Sequence, residues 1–292
     1  MKKRRLSLTE KNNLVGYGFI SIWLIGIVFF FILPAITTLV YSFSEVTVSK
    51  SGMKTVFVGL ENFKEVVLRD ATFLPSLTSS VGALIAEVPI IVLFSMFLAV
   101  VLNHKFRGRA FARVMFFLPV IIASGISIEI LTANGMSTDV GGSETMFMFQ
   151  VSLFPDGMQG SGIMMYVQTM VNQIFNICWK SGIQILLFLS GLQTIPASYY
   201  EVSGLEGATP WEEFWKITFP LLSPFSLLCV VYSIIDSFTD SRNVVMKLIK
   251  SYFDSFEYGI SSAMSWIYFV IILAVILIVN KTVFRNIVYM ED

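Results

Sequence analysis

Apolar residues gather along the chain into six runs, each near the roughly 20 residues that an α-helix needs to cross a hydrocarbon core. They cover about Gly16–Phe43, Leu77–Leu102, Phe111–Leu131, Met165–Leu192, Ile217–Phe238 and Ile260–Val279, with Trp179 and Lys180 interrupting the fourth. The pattern predicts an all-α, polytopic membrane protein with about six transmembrane helices. Prolines stand at or near several span ends (Pro34, Pro89, Pro119, Pro220, Pro224). Neighbouring helices in a membrane re-satisfy the backbone groups that such kinks release.

The segments between the runs differ in kind. Residues 1–15 form a basic amino terminus carrying Lys2, Lys3, Arg4 and Arg5, and residues 16–292 make up the transmembrane domain. The first run is too long for the apolar core of a signal peptide, so it reads as a retained span. With the amino terminus inside, basic residues divide twelve to seven between inner and outer segments, which places both termini in the cytoplasm. The Lys105, Arg107 and Arg109 cluster between the second and third runs fits that orientation. In the outer loop 44–76, Leu60, Phe63, Val66 and Val67 recur at helical spacing and predict a helix along the membrane surface. The outer loop 132–163 is Gly/Ser-rich, lacks basic residues and predicts an irregular lid or docking surface. There is no inverted repeat of the kind that marks many secondary transporters.

Composition agrees and removes several function classes. The chain has 292 residues, 55% hydrophobic and 14% charged, with a mean hydropathy of +0.75. A soluble domain carries about 25% charged residues. Net charge is zero, which leaves no case for nucleic-acid binding. Cys178 and Cys229 lie in apolar runs and read as small buried hydrophobes rather than a disulfide framework. One histidine, His104, in a basic loop is too few ligands for a metal site. No nucleophile, base and oxyanion-donor set is apparent, and no G-x-x-x-x-G-K-[ST] run could cradle ATP phosphates.

The segment 194–219, between the fourth and fifth runs, is more than a connector. Pro196 and Ser198 open a short helix from about Ser198 to Glu206, and Gly207 can supply the positive φ common after a helix. Thr209 is placed to cap a second helix, with Pro210 in its first turn and Glu212 three residues beyond the cap, a capping-box arrangement. That second helix is expected over Trp211–Phe219, feeding the fifth span. The first helix presents Tyr199, Tyr200 and Leu205 with the carboxylates Glu201 and Glu206.

This block resembles the signature loop of ABC importer permeases, Glu-Ala-Ala-x-x-Asp-Gly-Ala followed by Phe, Ile and two prolines. Glu201, Gly207, Ala208, Phe214, Ile217, Pro220 and Pro224 fall at the family spacing. Val202 and Ser203 stand where the family has two alanines, and Glu206 where it has Asp. The lead-in Gly191-Leu192-Gln193-x-Ile195-Pro196 resembles the carbohydrate branch in particular. So do Tyr41-Ser42-Phe43, Phe57 to Phe63 and Phe116-Phe117-Leu118-Pro119, which look like the first-type permease of a heteromeric pair. The likeness weakens over 132–163 and in the last fifty residues. It implies that Tyr199, Tyr200, Glu201, Ser203, Leu205, Glu206, Gly207, Ala208, Phe214 and Pro220 belong to a coupling loop seated in a groove of an ATPase subunit. It further implies a second permease subunit, two ATPase subunits (a homodimer or heterodimer) that bind ATP and Mg, and an extracellular or periplasmic solute-binding protein. The chain itself would bind no cofactor and be no enzyme, spanning a bacterial inner membrane for a carbohydrate, an oligosaccharide by expectation. An importer permease for a non-sugar solute and an ion-gradient-driven secondary transporter are the alternatives.

Ionisable groups inside a span cost about 2.5–3.5 kcal/mol each on insertion scales and mark interior pathways. Glu87, Glu129, Lys180 and Asp236 are such groups, and counting from the cytoplasmic ends places each roughly 20–25 Å deep, toward the outer half. The expectation is a shared layer in which Lys180 compensates a carboxylate. Interfacial placement, or a purely structural ion pair, is the competing reading. Asn172, Asn176, Trp179 and Gln184 lie on or near the same helix as Lys180, and an aromatic face with amides suits a sugar ring and its hydroxyls. These eight residues are the candidate translocation pathway.

Overall fold

A computed structural model describes residues 8–49, 52–104, 106–123, 170, 173–174, 176–240 and 243–283. Glu129, Asn172 and the loop 132–163 lie outside the described residues, as does much of the third and fourth predicted spans. Helices are labelled in chain order: α1 Leu8–Ile27, α2 Leu33–Ser42, α3 Glu61–Lys64, α4 Phe73–Asn103, α5 Arg109–Ala123, α6 Gly182–Thr194, α7 Ala197–Leu205, α8 Pro210–Glu213, α9 Phe219–Leu221, α10 Ser223–Thr239, α11 Val244–Asp254 and α12 Tyr258–Val283. Among the described residues, three helical stretches are long and apolar enough to cross a membrane: Gly16–Ser42, Phe73–Asn103 and Tyr258–Thr282. A fourth arises when the broken pair around Leu222 is counted as one span.

The chain forms two compact units, residues 1–75 with 247–270, and residues 76–246 with 271–292. In the first, α1 runs into α2 through a π-helical turn, Val28–Ile32. Pro34 follows it, and a proline ring crowds the carbonyl four residues back, which a widened turn relieves. After α2 comes an antiparallel hairpin, β1 Ser44–Ser49 and β2 Gly52–Phe57, in which Glu45 pairs with Val56 and Thr47 with Lys54. This hairpin was not foreseen from sequence. The predicted surface helix is present as α3 with a π-helical turn, Glu65–Arg69, burying Val66 and leaving Leu60 and Leu68 exposed.

Two polar side chains tie this unit together. Asn62 Nδ2 donates to the carbonyls of Ser42 and Ser44, both at 3.0 Å. Gly259 packs so closely on this pair that a Cβ there would lie 2.5 Å from the Ser44 carbonyl. Asp70 accepts from the backbone N–H groups of Thr72 and Phe73 at the start of α4, from the Thr72 hydroxyl at 2.6 Å, and from the Tyr252 hydroxyl at 3.0 Å. Burial pushes the Asp70 carboxyl up, but the Thr72, Tyr252 and Phe73 hydrogen bonds outweigh it and hold it below its ordinary value. Burial and the Asp70 carboxylate push Tyr252 up to about 12.

In the second unit, α4 shows its role in its burial pattern. Leu77, Ser80, Leu84, Val88, Ile91, Ser95, Ala99 and Leu102 are buried at three- and four-residue steps, while Ile85, Ile90, Leu93 and Phe97 are exposed. One stripe therefore faces protein along the whole helix. The core joins Met96 and Ala99 of α4, Phe188, Leu189 and Leu192 of α6, and Leu222 and Cys229 at α10. Gly191 lets α6 and α10 approach, since a Cβ there would sit 2.7 Å from the Phe225 ring.

Candidate functional site

The loop between α6 and α10 is a helix–turn–helix built as its sequence implies. Pro196 caps α7, which begins at Ala197, one residue before the expected start. Gly207 has φ +80°. Its N–H donates to Gly204 at 3.2 Å while Ala208 N–H donates to Ser203 at 3.0 Å, so the helix closes in a Schellman motif. The capping box is complete, with Thr209 accepting from Glu212 N–H and Glu212 Oε2 accepting from Thr209 N–H at 3.0 Å. Hydrogen bonds from the Thr209 N–H and hydroxyl, then Lys216, hold the Glu212 carboxyl below its ordinary value.

The second helix expected over Trp211–Phe219 is present as one helical stretch, Pro210–Leu221, with a π-helical middle. Beyond α8 the chain winds as a π-helix over Phe214–Thr218, passes through α9, and breaks at Leu222 before α10. Pro220 and Pro224 account for this, each removing a donor and crowding the turn before it. As at Pro34, the π-turn ends two residues before the proline. The helix carrying most of the fifth apolar run therefore begins anew at Ser223, after the break at Leu222.

Two polar pins hold α7 on α8 and its continuation: Tyr200 hydroxyl with Thr218 hydroxyl at 3.0 Å, and Ser203 hydroxyl donating to Glu213 Oε1 at 2.7 Å. Tyr200 and Phe214 also pack on the core of the second unit. The opposite side of α7 stays uncovered, with Tyr199 49%, Val202 54% and Leu205 89% exposed. Glu201 and Glu206 are exposed beside them, and Ala208 and Pro220 are half-buried. The helix is thus fixed on one face and open on the other. Trp211, Trp215 and Phe219 form a second exposed stripe, with ring centroids 5.6 and 5.2 Å apart along it.

Of the charged layer, the structure brings together Glu87 and Lys180. Lys180 Nζ lies 2.9 Å from Glu87 Oε2 and 3.9 Å from Asp240 Oδ2. Asp240 was missed because it stands just past the end of the fifth span; only the turn of α10 at Thr239 carries it back to Lys180. Asp236 lies one turn earlier on α10, half-buried. Glu87 lies about 24 Å along α4 from Asn103 and about 21 Å from Phe73, at 1.5 Å per residue. Ser80 donates to Asn243 Oδ1 at 3.0 Å, and the same oxygen accepts from Val245 N–H to cap α11. Gln184 is fully buried and donates to Ser233 at 2.9 Å between α6 and α10. Asn176 and Trp179 are half-buried on the turns before Lys180. Cys229 is buried and Cys178 half-buried, both as free thiols.

Long apolar helices, an ion pair between two of the apolar runs, and a helix–turn–helix with one pinned and one open face describe a polytopic membrane subunit. No family model matches the chain. Individual proteins do: it is 30% identical to the probable ABC transporter permease protein YesP of Bacillus subtilis, over 97% of this chain and 94% of that protein. It is 28% identical to the sn-glycerol-3-phosphate transport system permease protein UgpA of Agrobacterium fabrum, over 92% and 94%. It is 26% identical to the multiple sugar-binding transport system permease protein MsmF of Streptococcus mutans, over 89% and 92%. In fold it matches a chain of a bacterial alginate ABC transporter, crystallised with an alginate pentasaccharide-bound periplasmic protein, at a TM-score of 0.62 and 18% identity over 97% of this chain. The chain belongs to the ABC transporter permease family.

Proposed function

We propose that this permease forms the translocation pathway of an ATP-driven importer for a carbohydrate, an oligosaccharide, handed over by an extracellular or periplasmic solute-binding protein. A second permease subunit completes the pathway, and two ATPase subunits bind ATP and Mg and supply hydrolysis. The chain lies in the bacterial inner membrane with both termini cytoplasmic, residues 44–76 and 132–163 outside, and residues 194–219 inside. The observation that carries this reading is the two-sided α7. Tyr199, Glu201, Leu205 and Glu206 offer an open face to an ATPase groove, while Tyr200, Ser203 and Phe214 pass its displacement to the core of α6 and α10. The names of MsmF and of the alginate transporter support a carbohydrate, and UgpA names a phosphoester instead. Glu87, Glu129, Lys180 and Asp236, with Asn172, Asn176, Trp179 and Gln184, are the proposed pathway residues.

Gly207 tests the coupling role. A β-branched residue is strained at φ +80°, at a cost of about 1–2 kcal/mol, and would open the Schellman turn. With the complex reconstituted in vesicles, Gly207→Val is expected to cut uptake per ATP hydrolysed at least roughly ten-fold while membrane insertion is unchanged. Unaltered stoichiometry would remove α7 from the coupling path.

A further inference from the structure

The helical stretch Pro210–Leu221 has three sides, each of a different kind. One is pinned to α7 through Thr218 and Glu213. A second carries the exposed ion pair of Glu212 and Lys216, 3.3 Å apart. The third is a row one side chain wide, Trp211, Trp215 and Phe219, with each ring in contact with the next. Exposure along the row falls from 69% at Trp211 through 45% at Trp215 to 40% at Phe219, the end nearer α10. At the break at Leu222 the path bends by 65° into the stretch that begins at Ser223. From Trp211 to Phe219 the row is about 12 Å long at 1.5 Å per residue, so it advances only about 5 Å along the direction of that following stretch.

A helix that meets an apolar span at so wide an angle lies across the end of that span, where bilayer and water meet. An amphipathic helix at this boundary sinks its apolar side about 5–10 Å into the headgroup and acyl layers, and an advance of about 5 Å keeps all three rings within that depth. The ring types stand in the matching order. Trp, apolar over most of its surface and with one N–H donor, belongs at headgroup level, and the two tryptophans are farther from the span. Phe219, with no polar atom in its side chain, stands next to it. A protein groove would call for no such order along the row. We propose that Trp211, Trp215 and Phe219 form a lipid contact, seated in the interfacial layer of the phospholipid leaflet with the indole N–H groups toward its ester and phosphate oxygens. The contact fixes the height of Pro210–Leu221 at the membrane, and with it that of α7, which the Tyr200–Thr218 and Ser203–Glu213 pins carry along. It rests on the membrane-spanning fold and is independent of the ATPase contact proposed for the open side of α7.

The test is photocrosslinking of the assembled transporter in phospholipid vesicles. With p-benzoylphenylalanine in place of Trp211 or of Trp215, one at a time, illumination is expected to add the mass of one phospholipid to this chain at each position. The same photoreactive residue in place of Tyr199, on the open side of α7, is expected to join the chain to an ATPase subunit. Failure of the coupling reading therefore shows at position 199, and failure of the lipid contact at 211 and 215. A protein adduct in place of the lipid at either of those two positions, or no adduct there, would overturn the proposal. Should these variants fail to assemble, intrinsic fluorescence decides. The emission that the wild-type complex has beyond that of the variant with Trp211→Phe and Trp215→Phe belongs to the two indoles. That difference should be lost in vesicles of phospholipid brominated on the upper acyl chain. Its survival in the brominated lipid would refute the contact.

Discussion

Replacing Lys180 with Met keeps most of the side chain's length and removes its charge, leaving Glu87 and Asp240 facing each other without the nitrogen that lies within 4 Å of both. At an effective dielectric of 20, each such pair is worth about 4 kcal/mol of gross attraction, most of it offset by lost hydration. Removing one member of a buried ion pair costs about 3–5 kcal/mol, because the remaining charge stays uncompensated. Lys180 meets the burial condition at 10% exposure, but Glu87 at 36% keeps some water, so a net loss of about 2–3 kcal/mol is expected. At about 2–4 °C per kcal/mol for a chain of this size, the detergent-solubilised complex should lose its folded, monodisperse form roughly 4–12 °C lower. The double variant Lys180→Met with Glu87→Gln should recover at least half of that loss, since neutral Gln leaves no unpaired carboxylate at position 87. A cycle built from the single and double variants isolates the pair. If the two single losses simply add, the 2.9 Å contact does not couple Lys180 to Glu87, and the pathway layer loses its anchor.

Other sites give sharper local outcomes. Asp70 has a depressed pKa, so its capping contribution is complete above the unfolded carboxylate range and disappears only as pH falls through the folded value. Asp70→Asn should therefore lower thermal stability at pH 7 and shrink the difference from wild type below about pH 4. Thr209→Ala removes the N-cap of α8 and should cost about 1 kcal/mol, seen as faster amide exchange over 209–213. Phe256 holds φ +65° one residue after the cap of α11, so Phe256→Gly should stabilise the chain by about 1 kcal/mol in a melting assay. Gly259→Ala would drive a methyl into the Ser44 carbonyl and should destabilise by about 1–3 kcal/mol.

How much of this was legible in the sequence depends on the range of the force responsible. The long apolar stretches Gly16–Ser42, Phe73–Asn103 and Tyr258–Thr282 were legible because hydrocarbon demands about 20 apolar residues in a row, a purely local signal. The loop 194–219 was legible almost to the residue, because Pro196, Gly207, Thr209 and Glu212 each act on backbone within four positions. The break at Leu222 was partly written in Pro220 and Pro224, but the apolar run through them reads as one helix. The hairpin Ser44–Phe57 escaped notice because Val46 is the one buried apolar side chain among those described on β1 and every residue of β2 is exposed, so little apolar alternation announces it.

Pairing across the fold was the part that no local signal could supply. Lys180 was expected to compensate some carboxylate, yet Glu87 is 93 positions away and Asp240 another 60 in the opposite direction. What selects them is geometry: the buried stripe of α4 turns Val88, and Glu87 beside it, toward the elements that carry Lys180 and Asp240. The same stripe explains why Glu87 is only half-covered. It stands one position off the buried line, so its carboxylate reaches Lys180 through Oε2 while the side chain keeps 36% of its surface. A residue on the line would be sealed in protein, and a residue on the opposite side would be pressed into lipid. The edge of the stripe is where a charged side chain can be held by its own fold and still keep part of its hydration. That makes Glu87, among the charged residues of the layer, the one whose substitution should alter transport and stability separately.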